Sequence, residues 1–206
     1  YLGDASAYCD FGSEVNEHVN SRVISYFTKI KELQKQKKID GIINLTPSYN
    51  KLIISFDLDK TNFTKVKEIV KDLKTDTLAK KNTKKIKIPI CCQDGLSLDF
   101  QRLIKLTDKS KSEILSQFFK KEYFCYMTGF IAGMPFLGDI DKELRCQRLE
   151  TPRIKVIKGS VGLTEQFVNI YTSESPGGWN IIGNTPLDIF DKNNEVSPNL
   201  INPGDK

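Results

Sequence analysis

Ser175-Pro-Gly-Gly-Trp-Asn-Ile-Ile-Gly-Asn-Thr-Pro-Leu187, taken with Gly159-Ser-Val-Gly162 upstream, decides how the carboxy-terminal half of this chain is read. Proline presets φ at the second position of a tight turn and glycine accepts positive φ at the third, so Pro176-Gly177 predicts a turn. Trp179, Ile181 and Ile182 then form a short apolar run closed by Gly183-Asn184, which predicts a strand between two turns. On pattern alone this is a hairpin in a core, with Trp179 its largest side chain. Glycines 159, 162, 177, 178 and 183 add a second reading, because backbone without Cβ lets a ligand or another strand approach closely. Gly178, Gly183, Asn184 and Thr185 imitate a phosphate-binding G-x-x-x-x-G-K-[ST] loop, but Asn184 replaces the lysine and the filling is strand-like. No nucleotide site is expected there.

Working outward, many short apolar runs separated by Gly, Pro and Asn predict a barrel or sandwich: 123–127, 154–157, 160–164, 167–172, 179–182 and 187–190. Ahead of them, 98–106 and 110–120 read as helices, the second opened by the capping-box spacing Ser110-Lys-Ser-Glu113. The amino-terminal part has a different texture. Val15, Val19, Val23, Phe27, Ile30 and Leu33 form one stripe of a helix over 14–37, with Ser13 as its N-cap. A second helix spans 62–74. Strands are expected at 5–11, 41–45, 51–57 and 85–92, the last alternating through Ile86, Ile88 and Ile90. Strand, helix, strand, strand, helix, strand is the order of a ferredoxin-like split βαβ unit. The expected fold class is therefore an α+β domain over 1–90 followed by a mainly-β domain over 91–206.

The chain has 206 residues, 39% hydrophobic and 28% charged, which suits a folded protein with a real core. No apolar run approaches membrane-spanning length and no basic-then-apolar leader is present, so a cytoplasmic protein without membrane contact is expected. Tyr1 stands where an initiator methionine would, and further residues are expected ahead of it. Cys9, Cys91, Cys92, Cys125 and Cys146 have no C-x-x-C spacing, and His18 is the sole histidine. That pattern predicts reduced thiols and no metal site. The net charge of +5 is carried mostly by lysine, concentrated in Lys80-Lys-Asn-Thr-Lys-Lys-Ile-Lys87. Without aromatic interleaving or arginine, that run reads as a solvated loop and no nucleic-acid partner is expected.

Several stretches, in this order, resemble one family: Gly3-Asp4-Ala5, Thr46-Pro-Ser-Tyr49 leading to Asp57, Ile88-Pro-Ile-Cys91, Tyr123-Phe-Cys-Tyr-Met-Thr-Gly-Phe130, Thr151-Pro-Arg153, Gly159-Ser-Val-Gly162, Ser175-Pro-Gly-Gly-Trp179, Ile182-Gly-Asn-Thr-Pro186 and Asn202-Pro-Gly-Asp205. The chain is similar to the allophanate hydrolase subunit 1 family, which includes the B subunit of 5-oxoprolinase and an inhibitor of the sporulation histidine kinase A. The resemblance implies a cyclophilin-like barrel for the second domain. It also implies ATP-dependent opening of the 5-oxoproline lactam to glutamate, in an active site shared with a C subunit, within a complex that also holds an A subunit. ATP would be used by that complex, with no ATP site and no metal in this chain. By the same resemblance Arg153 is an anion clamp, the backbone amides of Gly159 and Ser160 are oxyanion donors, and Tyr126, Phe130, Gly177, Gly178 and Trp179 are walls or partner contacts. A surface ion pair for Arg153, a strand-edge hydroxyl for Ser160 and ordinary core for the aromatics are the rival readings. The departures from the family pattern keep two alternatives open: a regulatory protein that inhibits a sensor histidine kinase, and a degenerate paralogue without chemistry. Phe118 stands where a histidine is usual, Ala132-Gly133 replaces Pro-Gly, the usual proline before Gly159 is gone at Ile157-Lys158, and Gln166-Phe-Val-Asn169 replaces Gly-Gln-Thr-Gly. Of another altered segment, Gln93-Asp-Gly95 and Ser97-Leu-Asp99, only Asp99 persists.

Overall fold

A computed structural model describes residues 1–73 and 83–206. The chain divides into two compact units, Tyr1–Asn82 and Thr83–Lys206. Residues 80–82 of the lysine run, and the last residue of the expected 62–74 helix, lie outside the described residues.

The first unit runs β1 (Ser6–Asp10), α1 (Glu17–Lys35), β2 (Ile42–Pro47), β3 (Lys51–Phe56) and α2 (Phe63–Asp72). Strict alternation along β3 buries Leu52, Ile54 and Phe56, and β3 takes the centre of an antiparallel sheet ordered β1-β3-β2. Val23 and Ile30 of α1 and Val66 of α2 pack into the same core. Asn16, not Ser13, caps α1: its side chain accepts from the Val19 N–H at 2.9 Å. One turn later Asn20 is fully buried and donates to the carbonyls of Ser48 and Tyr49, tying the helix to the β2–β3 turn. The expected fourth strand is a correction. Among the described residues this sheet has three strands, and Ile86, Ile88, Ile90 and Cys92 pack against the core of the second unit instead.

The second unit opens with that extended segment and continues α3 (Phe100–Thr107), α4 (Lys111–Phe119), β4 (Phe124–Thr128), β5 (Pro135–Gly138), a 3-10 turn (Lys142–Leu144), β6 (Arg153–Val156), β7 (Ser160–Thr164), β8 (Phe167–Ile170), β9 (Ser175–Gly177) and β10 (Asn180–Asn184). Five antiparallel strands are ordered β10-β7-β8-β5-β4, and β6 pairs with β9 in a separate two-stranded ribbon. Both edges of the larger sheet are covered by irregular backbone. At one edge Cys91 exchanges both backbone hydrogen bonds with Asn184 of β10; at the other, Cys125 of β4 bonds Gly204 and Asp205, and the adjacent Lys206 bonds Lys84 and Ile86. The segment that starts at Lys84 is thus linked to both edges, which leaves neither as an open template for another chain. Leu137, Val161, Leu163, Val168, Ile170 and Ile182 supply the core between sheet and helices.

The capping box of α4 forms as its spacing predicts: Ser110 Oγ accepts from the Glu113 N–H at 3.3 Å, and Glu113 Oε2 accepts from the Ser110 N–H at 2.8 Å. The Ser110 hydroxyl and then the Ser110 N–H hold the Glu113 carboxyl below its usual range. Because the folded value is depressed, the contribution of Glu113 is present above the ordinary glutamate range and is lost as pH falls through the depressed value. Ser110→Ala is expected to cost about 1 kcal/mol in denaturant unfolding at neutral pH. The gap from wild type should narrow in acid, and a gap unchanged down to the acid transition would assign the loss to something other than the cap.

Candidate functional site

Arg153 begins β6 directly across from Gly177 of β9. Its Nη2 donates to Asp99 Oδ1 at 2.6 Å, with the Arg153 side chain 26% exposed and the Asp99 side chain 6% exposed. The second Asp99 oxygen accepts from the Ile181 N–H at 2.6 Å, and the Asp99 N–H donates to the Ile181 carbonyl at 3.1 Å. Asp99 stands at the start of α3 yet makes no side-chain cap there. Its carboxylate is committed to fixing Arg153 and β10. Arg153 Nη1 is buried and has no hydrogen-bond partner, so one face of the guanidinium is held while another donor remains unspent.

Two further arginines converge on this corner. Arg102 Nε donates to Asn180 Oδ1 at 3.0 Å, and the fully buried Asn180 amide donates onward to the carbonyls of Gln147 and Leu163, each at 3.1 Å. The Leu149 N–H reaches the Gly178 carbonyl at 2.7 Å, which brings residues 147–149 alongside β9. A Cβ on Gly178 would rest 3.6 Å from Arg148 Nε and Nη2, so glycine here gives that guanidinium backbone to lie against. Gly177 is needed for another reason: a Cβ there would collide with the Tyr171 hydroxyl and ring. Asn169 is fully buried beside the Tyr171 phenol; its oxygen lies where a Cβ on Gly162 would come within 2.8 Å. Burial pushes the Tyr171 phenol up, opposed in turn by the neighbouring Asn169 amide, Arg148, Arg153 and the Trp179 backbone. Trp179 is 9% exposed and meets Phe136 edge-on, with ring centroids 5.6 Å apart.

Of the residues singled out in the sequence, Arg153 lies across from Gly177, with Gly178 and Trp179 next along the chain. Other expectations need correction. Ser175–Gly177 is a strand rather than a tight turn, and Gly177 is absent from the positive-φ glycines. Its Pro176 is tolerated because the β6–β9 ribbon pairs Arg153 with Gly177 and Val156 with Ser175, skipping the proline. The Gly159 N–H donates to the Tyr171 carbonyl and the Ser160 N–H to the Ile157 carbonyl, so neither amide is open to an oxyanion. Gly159 does structural work: φ is +82°, and a Cβ would strike the Thr185 carbonyl. Ser160 is buried in β7. Tyr126 is buried with its hydroxyl on Asp139 Oδ2 at 3.0 Å, and Phe130 is 71% exposed in a positive-φ turn; neither joins the arginine corner by a described contact. Sequence reasoning misses the parts played by Arg102, Arg148, Asn169, Tyr171 and Asn180. The one signal available is compositional: of five arginines, four fall between 102 and 153.

Chemically, three guanidinium groups near one committed carboxylate give this corner a surplus of positive charge. Among the described residues no group of His, Cys, Asp and Glu side chains could hold a metal ion, and no helix is long and apolar enough to cross a membrane.

Residues 1–201 match the family model described as carboxyltransferase domain, subdomain C and D. The chain is 30% identical to the B subunit of 5-oxoprolinase from Bacillus subtilis, over 99% of this chain and 88% of that protein. It superposes on the solved structure of TTHA0988 with a TM-score of 0.83 at 26% identity, covering 97% of this chain and 38% of that one. Urea carboxylase of Kluyveromyces lactis, 18% identical with a TM-score of 0.78 over 98% of this chain and 20% of its own, shares the fold. Much longer chains thus contain a segment of this architecture.

Proposed function

This chain belongs to the carboxyltransferase subdomain C and D family, which takes in allophanate hydrolase subunit 1 and the 5-oxoprolinase B subunit, and from that premise we propose that it is one subunit of an ATP-dependent 5-oxoprolinase. The complex hydrolyses 5-oxo-L-proline to L-glutamate; this chain contributes an anion-binding wall, and the C and A subunits complete the site and its coupling to ATP. The second unit, whose two sheet edges both bond the segment from Lys84, is read as a cyclophilin-like barrel, and the three-stranded first unit as a shortened split βαβ.

A lactam resists water because amide resonance stabilises it. Transfer of the γ-phosphoryl group of ATP to the lactam oxygen leaves ADP and removes that resonance. Water then adds to the ring carbon, the C–N bond breaks with a proton passing to nitrogen, and inorganic phosphate departs as the new carboxylate forms, provided the anionic intermediate is held and sheltered. Both substrate and intermediate are anions: 5-oxoproline carries a carboxylate, and the activated form adds phosphate. The observation that carries the proposal is the unspent, buried Nη1 of Arg153 on a guanidinium that Asp99 already holds in place. Asp99 pre-orients the guanidinium, and the Arg153 side chain stays 26% exposed, so an anion can approach it from solvent. Arg148 against Gly178 supplies a second positive group at the same corner. Asp99 is a positioning residue here, since it reaches the anion only through Arg153.

The test is reconstitution. The full chain mixed with the A and C subunits should give ATP hydrolysis that depends on 5-oxoproline and releases glutamate in equal amount, and omission of this chain should abolish it. Copurification of the three without 5-oxoproline-dependent turnover would overturn the enzymatic proposal.

A further inference from the structure

A second feature of the Thr83–Lys206 unit lies apart from the arginine corner: a cavity of about 390 Å³. Ile86, Ile88 and Ile90 of the extended segment form one wall, and Val161, Val168 and Ile170 of the sheet form the opposite one. Phe118 and Tyr123 close the end towards α4. The three isoleucines point inward yet remain only partly buried, because the space they face is unfilled. The space is a partly open cleft beside the core rather than a void inside it, far larger than the gaps of a packed interior.

The wall has no polar demand that water would meet. Tyr123 spends its hydroxyl on the Phe118 carbonyl at 2.9 Å, and burial pushes its phenol well up. Among the described residues, no buried side-chain nitrogen or oxygen of the lining lacks a hydrogen-bond partner. A space of this kind favours hydrocarbon over water. The mouth is different. Lys85, Lys87, Lys121 and Lys206 ring it with a single carboxylate, Glu122. Lys85 is paired with Glu122 and Lys121 with Asp141, both at 2.8 Å, whereas Lys87 makes no ion pair among the described residues. Phe119, 51% exposed, adds an apolar lip.

We propose that this cavity binds a linear aliphatic carboxylate, its chain between the Ile86-Ile88-Ile90 edge and the sheet, its head on the lysine rim at Lys87. At roughly 30 Å³ per methylene-sized group the space has room for up to about thirteen such groups, enough for a chain of about ten carbons, and it lies within the volume range of ordinary ligand sites. The anionic head is specified by the lysine-rich rim, where Lys87 makes no ion pair among the described residues, and the unbranched apolar tail by the aliphatic side chains of the lining. The proposal does not rest on the oxoprolinase reading and needs no other subunit.

The experiment uses the full chain alone, titrated with a dansyl-labelled undecanoate whose emission rises in an apolar site. One probe per chain should bind, and decanoate below its micelle concentration should displace it. Decanol should be weaker by about tenfold and decyltrimethylammonium weaker still, because the rim meets a negative head. Lys87→Glu should weaken decanoate by about tenfold without shifting the melting temperature, since Lys87 is exposed and makes no described ion pair. Val168→Phe fills the cavity and should abolish probe binding. If that variant fails to fold, Lys87→Glu still decides the question. No saturable probe binding, decanol as potent as decanoate, or unchanged displacement in Lys87→Glu would each overturn the proposal.

Discussion

Asp99→Ala is expected to lower the unfolding free energy by about 3–5 kcal/mol, the cost of breaking a buried ion pair by removing one partner. Two losses combine. The Arg153 guanidinium would lose the carboxylate that holds it beside an already unsatisfied Nη1, and the Ile181 N–H would lose its acceptor in the buried middle of β10. Asp99→Asn keeps an oxygen for Ile181 but removes the charge that holds Arg153, so it should fall between wild type and Asp99→Ala. Adding Arg153→Met to Asp99→Ala should recover part of the loss, because the stranded cation is then gone. Urea unfolding of the four proteins checks this; equal midpoints for wild type and Asp99→Ala would show that the pair contributes nothing.

Arg153→Ala should act on turnover more than on stability. In the reconstituted complex it is expected to reduce 5-oxoproline-dependent ATP hydrolysis by about 10²–10³-fold, the range seen when one donor to a developing anion is deleted. Arg153→Lys keeps the charge but has no planar fork to serve Asp99 and an anion together, and should recover only a small part. The chain must still copurify with its partners for the loss to be chemical. Turnover within a factor of about two of wild type would remove Arg153 from the site.

Local signals are legible wherever the deciding interactions are local. Ser110 and Glu113 are three residues apart, and their box forms; Leu52, Ile54 and Phe56 alternate, and β3 buries that face. Pro176-Gly177 shows where local preference loses. Its turn tendency is real, but backbone pairing with Arg153 and Val156, remote in sequence, holds the segment extended. Ile86, Ile88 and Ile90 show a second limit: alternation specifies which face is apolar and says nothing about which sheet will take it. The arginine corner is only half visible for the same reason. Arg153 and Gly177 stand in motifs, whereas Asp99 lies 54 residues from Arg153 and Arg102 lies 78 from Asn180, and no spacing rule connects them. The amides of Gly159 and Ser160 mislead because a glycine-rich stretch looks equally open whether its N–H groups are spent or unspent.

Trp179 is the chain's only tryptophan. Its indole is nearly sealed and meets Phe136 edge-on, its backbone follows Gly178, and the lysine-rimmed cavity is lined by other side chains. Intrinsic fluorescence excited at the indole band is therefore a single-address reporter. It reports on the surroundings of one residue without labelling, and in the presence of a bound dansyl probe, which absorbs where the indole emits, its quenching reports occupancy of the other chamber.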